Sequence, residues 1–89
     1  MRWPPSLGDR VCTATGLEGT LRWRGAIEGT KGDWAGLELD APAGRNSGEA
    51  RGARYFTCAP QHGLFVKTLS LQTGPSGLEA FSFHRFGSL

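Results

Sequence analysis

Residues 20–24 read Thr-Leu-Arg-Trp-Arg. Apolar Leu21 and Trp23 alternate with Arg22 and Arg24, which is the two-residue period of a half-buried β-strand. That period puts Leu21 and Trp23 on one face, and Gly25 ends the run. Before it, Thr15-Gly16-Leu17-Glu18-Gly19 reads as a turn, entered from a first short strand within Gly8–Thr13. After it, residues 26–33 (AIEGTKGD) form a polar, glycine-broken loop. Alternation resumes over Trp34–Asp40, with Leu37 and Leu39 on one face. Gly36 inside that strand predicts a bulge or a close backbone approach.

The same reading extends to the C-terminal side. Ala41–Arg54 is a long loop, a length that usually marks function. Tyr55–Cys58 reads as a strand, Ala59–Gly63 as a turn and Leu64–Lys67 as a strand, with Leu69 and Leu71 closing the sheet. No stretch shows a capped 3.6-residue period. The expected fold is all-β: a small curled antiparallel sheet or open barrel of five or six short strands, SH3-like, with long glycine-rich loops. Residues 1–6 read as a leader, 7–71 as the domain and 72–89 as a flexible tail carrying Phe81-Ser82-Phe83-His84-Arg85-Phe86.

The totals fit one small domain. Eighty-nine residues with 38% apolar content support a modest core, and fourteen glycines fit many tight turns. The net charge of +2 is too mild to argue for nucleic acid. Its distribution is uneven: between Gly44 and Lys67 stand Arg45, Arg51, Arg54 and Lys67 against Glu49 alone, a local +3 that suits an acidic partner. Cys12 and Cys58 lack metal-site spacing with His62 and His84, and read as small buried hydrophobes rather than a disulfide or metal site. The start, MRWPPSL, has no apolar h-region, and no apolar run is long enough to span a membrane. These features imply an intracellular, reduced, soluble chain, with no cofactor and no membrane partner. No heptads are visible, so a monomer is expected.

Within the long loop stands Gly44-Arg45-Asn46-Ser47-Gly48. A bare turn needs Gly and Asn, whereas a site that grips an anion or a chain terminus also uses the Arg. Arg offers a planar fork that can hold a carboxylate with two hydrogen bonds. Asn46 can donate an amide or brace the loop, and Gly44 and Gly48 permit close backbone approach.

With these pieces in view, the run Gly8–Leu71 resembles a CAP-Gly domain, the cytoskeleton-associated glycine-rich module. The resemblance rests on Gly8-Asp9-Arg10-Val11, Gly19-Thr20-Leu21-Arg22-Trp23, Gly32–Asp40 (GDWAGLELD), GRNSG, Gly52–Cys58 (GARYFTC) and His62–Lys67 (HGLFVK), in the family's order. It implies a microtubule-associated binding module rather than an enzyme. The implied ligands are acidic C-terminal tails ending in Glu-Glu-Tyr or a similar aromatic, on tubulin or on plus-end and linker proteins. The implied setting is cytoplasmic and cytoskeletal.

Carried over residue by residue, the implied ligand-binding set is Trp34, Gly44, Arg45, Asn46, Ser47, Gly48, Arg54, Phe65 and Lys67. Trp34 would wall a groove for the ligand's aromatic or aliphatic parts. Phe65 and Lys67 lie at i and i+2 on one strand, so they share a face: Phe65 would line the slot and Lys67 meet an acidic side chain. No residue is assigned to catalysis or metal binding.

Two departures stand out. The family's loop reads G-K-N-D-G, so Arg45 replaces Lys and Ser47 replaces Asp. The loop before Trp34 usually carries an aromatic and a Pro, and here these positions are Gly29 and Lys31. Ser47 in place of Asp removes a negative charge beside an anionic ligand, which favours attraction, and also removes a loop-bracing hydrogen bond. The aromatic lost at Gly29 implies a shallower slot and weaker or altered tail specificity, with Lys31 offsetting part of that loss. A degenerate member that keeps the fold and serves as a protein–protein scaffold is therefore the main alternative. A basic β-barrel for single-stranded nucleic acid is a further one, resting on Arg22, Trp23 and Arg24 with Tyr55 and Phe56. Catalysis has little support, because His62 stands in a turn with no nucleophile or carboxylate spaced to join it.

Overall fold

Leu21 and Leu37, both fully buried, sit directly opposite each other at the centre of the sheet. The computed structural model describes residues 3–73. Among the described residues are seven short strands: β1 (Arg10–Cys12), β2 (Glu18–Gly25), β3 (Trp34–Leu39), β4 (Glu49–Ala50), β5 (Ala53–Arg54), β6 (Gly63–Lys67) and β7 (Gln72–Thr73). Five form one antiparallel sheet in the order β6-β3-β2-β1-β7, and β4 and β5 form a separate hairpin. A 3-10 turn over Thr68–Ser70 links β6 to β7, and no α-helix occurs among the described residues. The fold is the small all-β architecture the sequence implied.

The sheet has two different faces. On one, Val11, Leu21, Ala35, Leu37, Leu39 and Leu71 form the aliphatic core, with Leu17, Leu64 and Val66 packed against it. Burying each large aliphatic side chain contributes about 1.5–3 kcal/mol, so this layer carries most of the sheet's stability. The other face of β3 presents Trp34, Gly36 and Glu38, opposite Lys67, Phe65 and Gly63 of β6. Gly36 has no side chain because the rings of Phe56 and Phe65 lie against it. A Cβ there would come within 2.5 Å of one ring and 3.0 Å of the other.

Trp23 departs from the simple period. Leu21 pairs with Leu37 but Trp23 pairs with Gly36, so two residues of β2 stand against one of β3. Arg22 is the extra residue of a β-bulge, and the bulge turns Trp23 onto the face opposite Leu21. The sequence placed the irregularity at Gly36. The structure puts the extra residue across from it, and the close approach at Gly36 is made by rings.

Two other local expectations change. Tyr55–Cys58 is not a strand: the amides of Tyr55 and Phe56 both donate to the Gly48 carbonyl at 2.9 and 3.2 Å, and Cys58 N–H donates to Ser47 at 3.0 Å. These bonds tie the segment to the loop while its two rings lie on the sheet. Leu71 closes the core, but Leu69 projects from the 3-10 turn at 86% exposure, and the closing strand begins only at Gln72. Gln72 and Thr73, within the stretch expected as tail, pair with Cys12 and Val11 of β1. The segment Phe81–Phe86 lies outside the described residues.

Candidate functional site

The second face of the sheet carries an aromatic cluster to which the chain after the β4–β5 hairpin contributes Tyr55 and Phe56. Trp23 lies 4.5 Å from Tyr55 and 6.0 Å from Phe65, ring centre to ring centre. Phe65 is 5.6 Å from Tyr55 and 5.5 Å from Phe56. These tilted and edge-on arrangements are the favourable ones for aromatic pairs. All four rings are half-buried, so they present surface as well as packing against one another. Of the four, only Phe65 belonged to the predicted binding set. Trp23 could not be placed here from sequence, because the bulge at Arg22 has no residue signature. The Gly36 gap opposite it was the available clue.

At one end of this cluster the GRNSG loop is docked onto the start of β6. Gly44 N–H donates to Gln61 at 2.7 Å, Arg45 N–H donates to Gly63 at 2.8 Å, and Gly63 N–H donates to Asn46 at 2.8 Å. Asn46 and Gly63 form an isolated antiparallel bridge. A Cβ on Gly44 would run into the Gly63 carbonyl, one on Gly63 into the Asn46 amide, and one on Gly48 into the Phe56 carbonyl. Gly48 also adopts φ +113°, a left-handed conformation that costs other residues strain. These glycines let two stretches of backbone meet, so their space is filled by the protein itself.

The polar residues of the loop divide into braces and free groups. Asn46 Oδ1 accepts from Gly48 N–H at 2.9 Å, closing a local turn, while its Nδ2 has no partner among the described residues. Ser47 donates its hydroxyl to Glu49 at 2.6 Å, which helps hold that carboxyl below its ordinary range. The bracing contact that loss of the family's Asp put in question is thus made by Ser47 to Glu49. Arg54 donates to the carbonyls of Ser47 at 3.0 Å and Phe56 at 3.1 Å and pairs with Glu49 at 3.3 Å. It ties hairpin, loop and aromatic segment together. Arg45 is exposed and makes no side-chain hydrogen bond or ion pair among the described residues.

At the other end stand Trp34 and Lys67, paired across β3 and β6. Lys67 Nζ lies 5.0 Å from the Trp34 ring centre and donates to the Lys31 carbonyl at 2.7 Å. Trp34 Nε1–H donates to Thr30 at 2.9 Å, which fixes the ring against the 26–33 loop. The space above Gly29, where the sequence lacks the family's aromatic, is taken by Arg51. Its guanidinium would lie 2.6 Å from a Gly29 Cβ, and its Nε donates to the Glu28 carbonyl at 3.1 Å. Arg51 was missed in the sequence because its significance depends on a contact between two distant loops.

Several groups are spent on structure. Arg22 pairs with Glu38 at 2.8 Å and Arg24 with Asp33 at 2.7 Å, so the aromatic–basic stretch on β2 has no free cation to offer a phosphate. His62 Nδ1 is hydrogen-bonded to the Leu39 carbonyl at 2.8 Å. Cys12 and Cys58 are free thiols, both pushed to higher pKa chiefly by burial, the opposite of a reactive cysteine. Among the described residues, no group of His, Cys, Asp and Glu could hold a metal ion. No helix there is long and apolar enough to cross a membrane.

An aromatic cluster on a small antiparallel sheet, with a glycine-rich loop docked at its edge, defines a class of protein-binding module. The family model for the CAP-Gly domain matches residues 7–71, and the chain belongs to that family. It is a non-catalytic binding module. It is 42% identical over 69 residues to CAP-Gly domain-containing linker protein 3 of Xenopus laevis, covering 78% of this chain but only 13% of the relative. The fold is similar to the solution structure of the CAP-Gly domain in human kinesin-like protein KIF13B, with TM-score 0.76, 32% identity, and 88% of this chain and 78% of that one covered. It is also similar to the Bik1 CAP-Gly domain solved with an ETF peptide from Bim1, with TM-score 0.65, 32% identity, and 72% and 78% covered.

Proposed function

We propose that this domain binds acidic C-terminal tails ending in an aromatic residue, of the Glu-Glu-Tyr or Glu-Glu-Phe kind, on tubulin or on plus-end and linker proteins. On this reading it works at the cytoskeleton in the cytoplasm. The observation that carries the proposal is Arg45, an exposed cation without a partner among the described residues, on a loop held to β6 by backbone hydrogen bonds beside an aromatic cluster. Arg45 and Asn46 Nδ2 would take the terminal carboxylate. Phe65 and Trp34 would receive the apolar parts of the ligand, and Lys67 an acidic side chain. Gly44, Ser47, Gly48 and Arg54 would shape the loop that aims Arg45. The Bik1 domain, similar in fold, was solved with an ETF peptide, and those letters hold an acid and an aromatic.

A fluorescence or NMR titration with a peptide ending in Glu-Glu-Tyr tests this. Binding should weaken when the terminal carboxylate is amidated, and again when Arg45 is changed to Ala. A folded domain that binds no form of the peptide would refute the reading and leave a scaffold role for the fold.

A further inference from the structure

We propose that Arg51 builds a second anion subsite, at the Trp34 end of the aromatic cluster, that reads acidic side chains upstream of the tail's last residues. The inference rests on the tail-binding reading above. Three observations support it.

The first is conformational. Arg51 and Gly52 are the two central residues of the β4–β5 hairpin, and both have left-handed backbone, at φ +50° and φ +84°. A two-residue turn of this kind favours Asn-Gly or Gly-Gly. Arg at the first position is held against its backbone preference, and such a residue merits a functional explanation.

The second is placement. The hairpin tip reaches across to the loop before Trp34, where the guanidinium covers Gly29 and one nitrogen holds the Glu28 carbonyl. Lys67 grips the same loop through the Lys31 carbonyl, and a Cβ on Gly32 would lie 3.0 Å from Lys67 Nζ. Arg51, Lys31 and Lys67 thus gather around one short loop, and none has an acidic partner among the described residues.

The third is reach. Gly63, where GRNSG docks, and Lys67 lie four residues apart on β6, about 13 Å at ~3.3 Å per residue. An extended peptide whose terminal carboxylate meets Arg45 would bring side chains some three to five residues upstream to the Trp34 loop, by the same ~3.3 Å rise. Carboxylates there would meet an unneutralised cationic cluster.

The test uses the whole 89-residue chain. Two peptides share a free Glu-Glu-Tyr end. One carries Glu at the three preceding positions and the other Gln. Both are titrated at low salt against the wild type, Arg51→Asn and Arg51→Lys. The wild type should prefer the Glu peptide by about three- to fivefold, the scale of exposed charge pairs. Arg51→Asn should lose most of that preference, while its dependence on the terminal carboxylate stays as in the wild type. Arg51→Lys should keep part of it. Because Asn suits the turn, Arg51→Asn should also melt no lower than the wild type, so the loss of preference cannot be assigned to unfolding. An unchanged Glu-over-Gln ratio in Arg51→Asn would overturn the subsite and leave the carboxylate clamp intact. No binding of either peptide by the folded wild type would overturn both.

Discussion

Two sets of cations divide this small domain. On the β1–β3 side, Arg10 is hydrogen-bonded to Asp40, Arg22 to Glu38 and Arg24 to Asp33. Around the aromatic cluster, Lys31, Arg45, Arg51 and Lys67 have no acidic partner among the described residues. Composition alone makes all seven look alike. Paired arginines on a sheet hold strands in register and expose little net field. Unpaired cations at the ends of an aromatic cluster leave their field unneutralised. Arg54 bridges the two sets: it is paired with Glu49, yet its other bonds hold the loop that carries Arg45.

The strongest way to break this division is to remove the loop. Gly48→Ala would push a methyl group into the Phe56 carbonyl at a position with φ +113°. We expect a stability loss of about 3 kcal/mol or more, read by urea denaturation, from steric conflict added to backbone strain. Tail binding should disappear with it. A variant as stable as the wild type would show that the loop is not seated on the aromatic segment.

Next in size is the contrast between a free and a paired arginine. Arg45→Ala should weaken binding of an acidic tail about tenfold, the scale of a charge-assisted hydrogen bond, with no change in melting temperature. Arg24→Ala should leave affinity unchanged and lower stability by less than about 1 kcal/mol, because its partner Asp33 is exposed. Equal effects of the two variants on affinity would erase the distinction between the sets.

How far the sequence could anticipate this depends on which interactions are local. The strands β2 and β3 were legible from alternation, because one face of each is covered by the aliphatic core, and β6 as the short run Leu64–Lys67. GRNSG was legible as a loop and as a candidate site, for an Arg that a bare turn does not need. Trp23 was read onto the wrong face, since one extra residue at Arg22 reverses everything after it and nothing in the side chains marks the slip. The strand expected at Tyr55–Cys58 failed because the backbone there bonds to the Gly48 and Ser47 carbonyls, which lie in a different part of the sequence. The same non-locality hid Arg51 and gave Arg54 a bracing role that its spacing did not reveal.

Arg54→Ala sharpens that last point. It removes bonds to two carbonyls and to Glu49 in one step. The expected cost is about 1–2 kcal/mol of stability, given that the side chain is partly exposed. Affinity should fall by less than in Arg45→Ala, and amidating the peptide should still weaken what binding remains. If Arg54 were instead the main ligand cation, its removal would cut affinity more than Arg45→Ala and abolish the response to amidation.

The smallest effect comes from acidity. Asp40 is held below its ordinary range by its hydrogen bond from Arg10, Asp33 by bonds from Arg24 and Thr68, and Glu49 by the Ser47 hydroxyl and Arg54. Each lowered value means that the unfolded chain takes up protons more readily than the fold. The stabilisation is therefore complete above the ordinary carboxylate range and fades as pH falls through the lowered folded values. Melting temperature should be flat near neutrality and decline below about pH 5. Asp33→Asn should flatten that decline, since it removes one of the three groups, while leaving tail affinity at neutral pH unchanged. The paired set would then carry the acid sensitivity of the fold, and the unpaired set the recognition. A neutral-pH loss of affinity in Asp33→Asn would mean that the two sets are coupled through Thr68 and Lys67, adjacent residues at the end of β6.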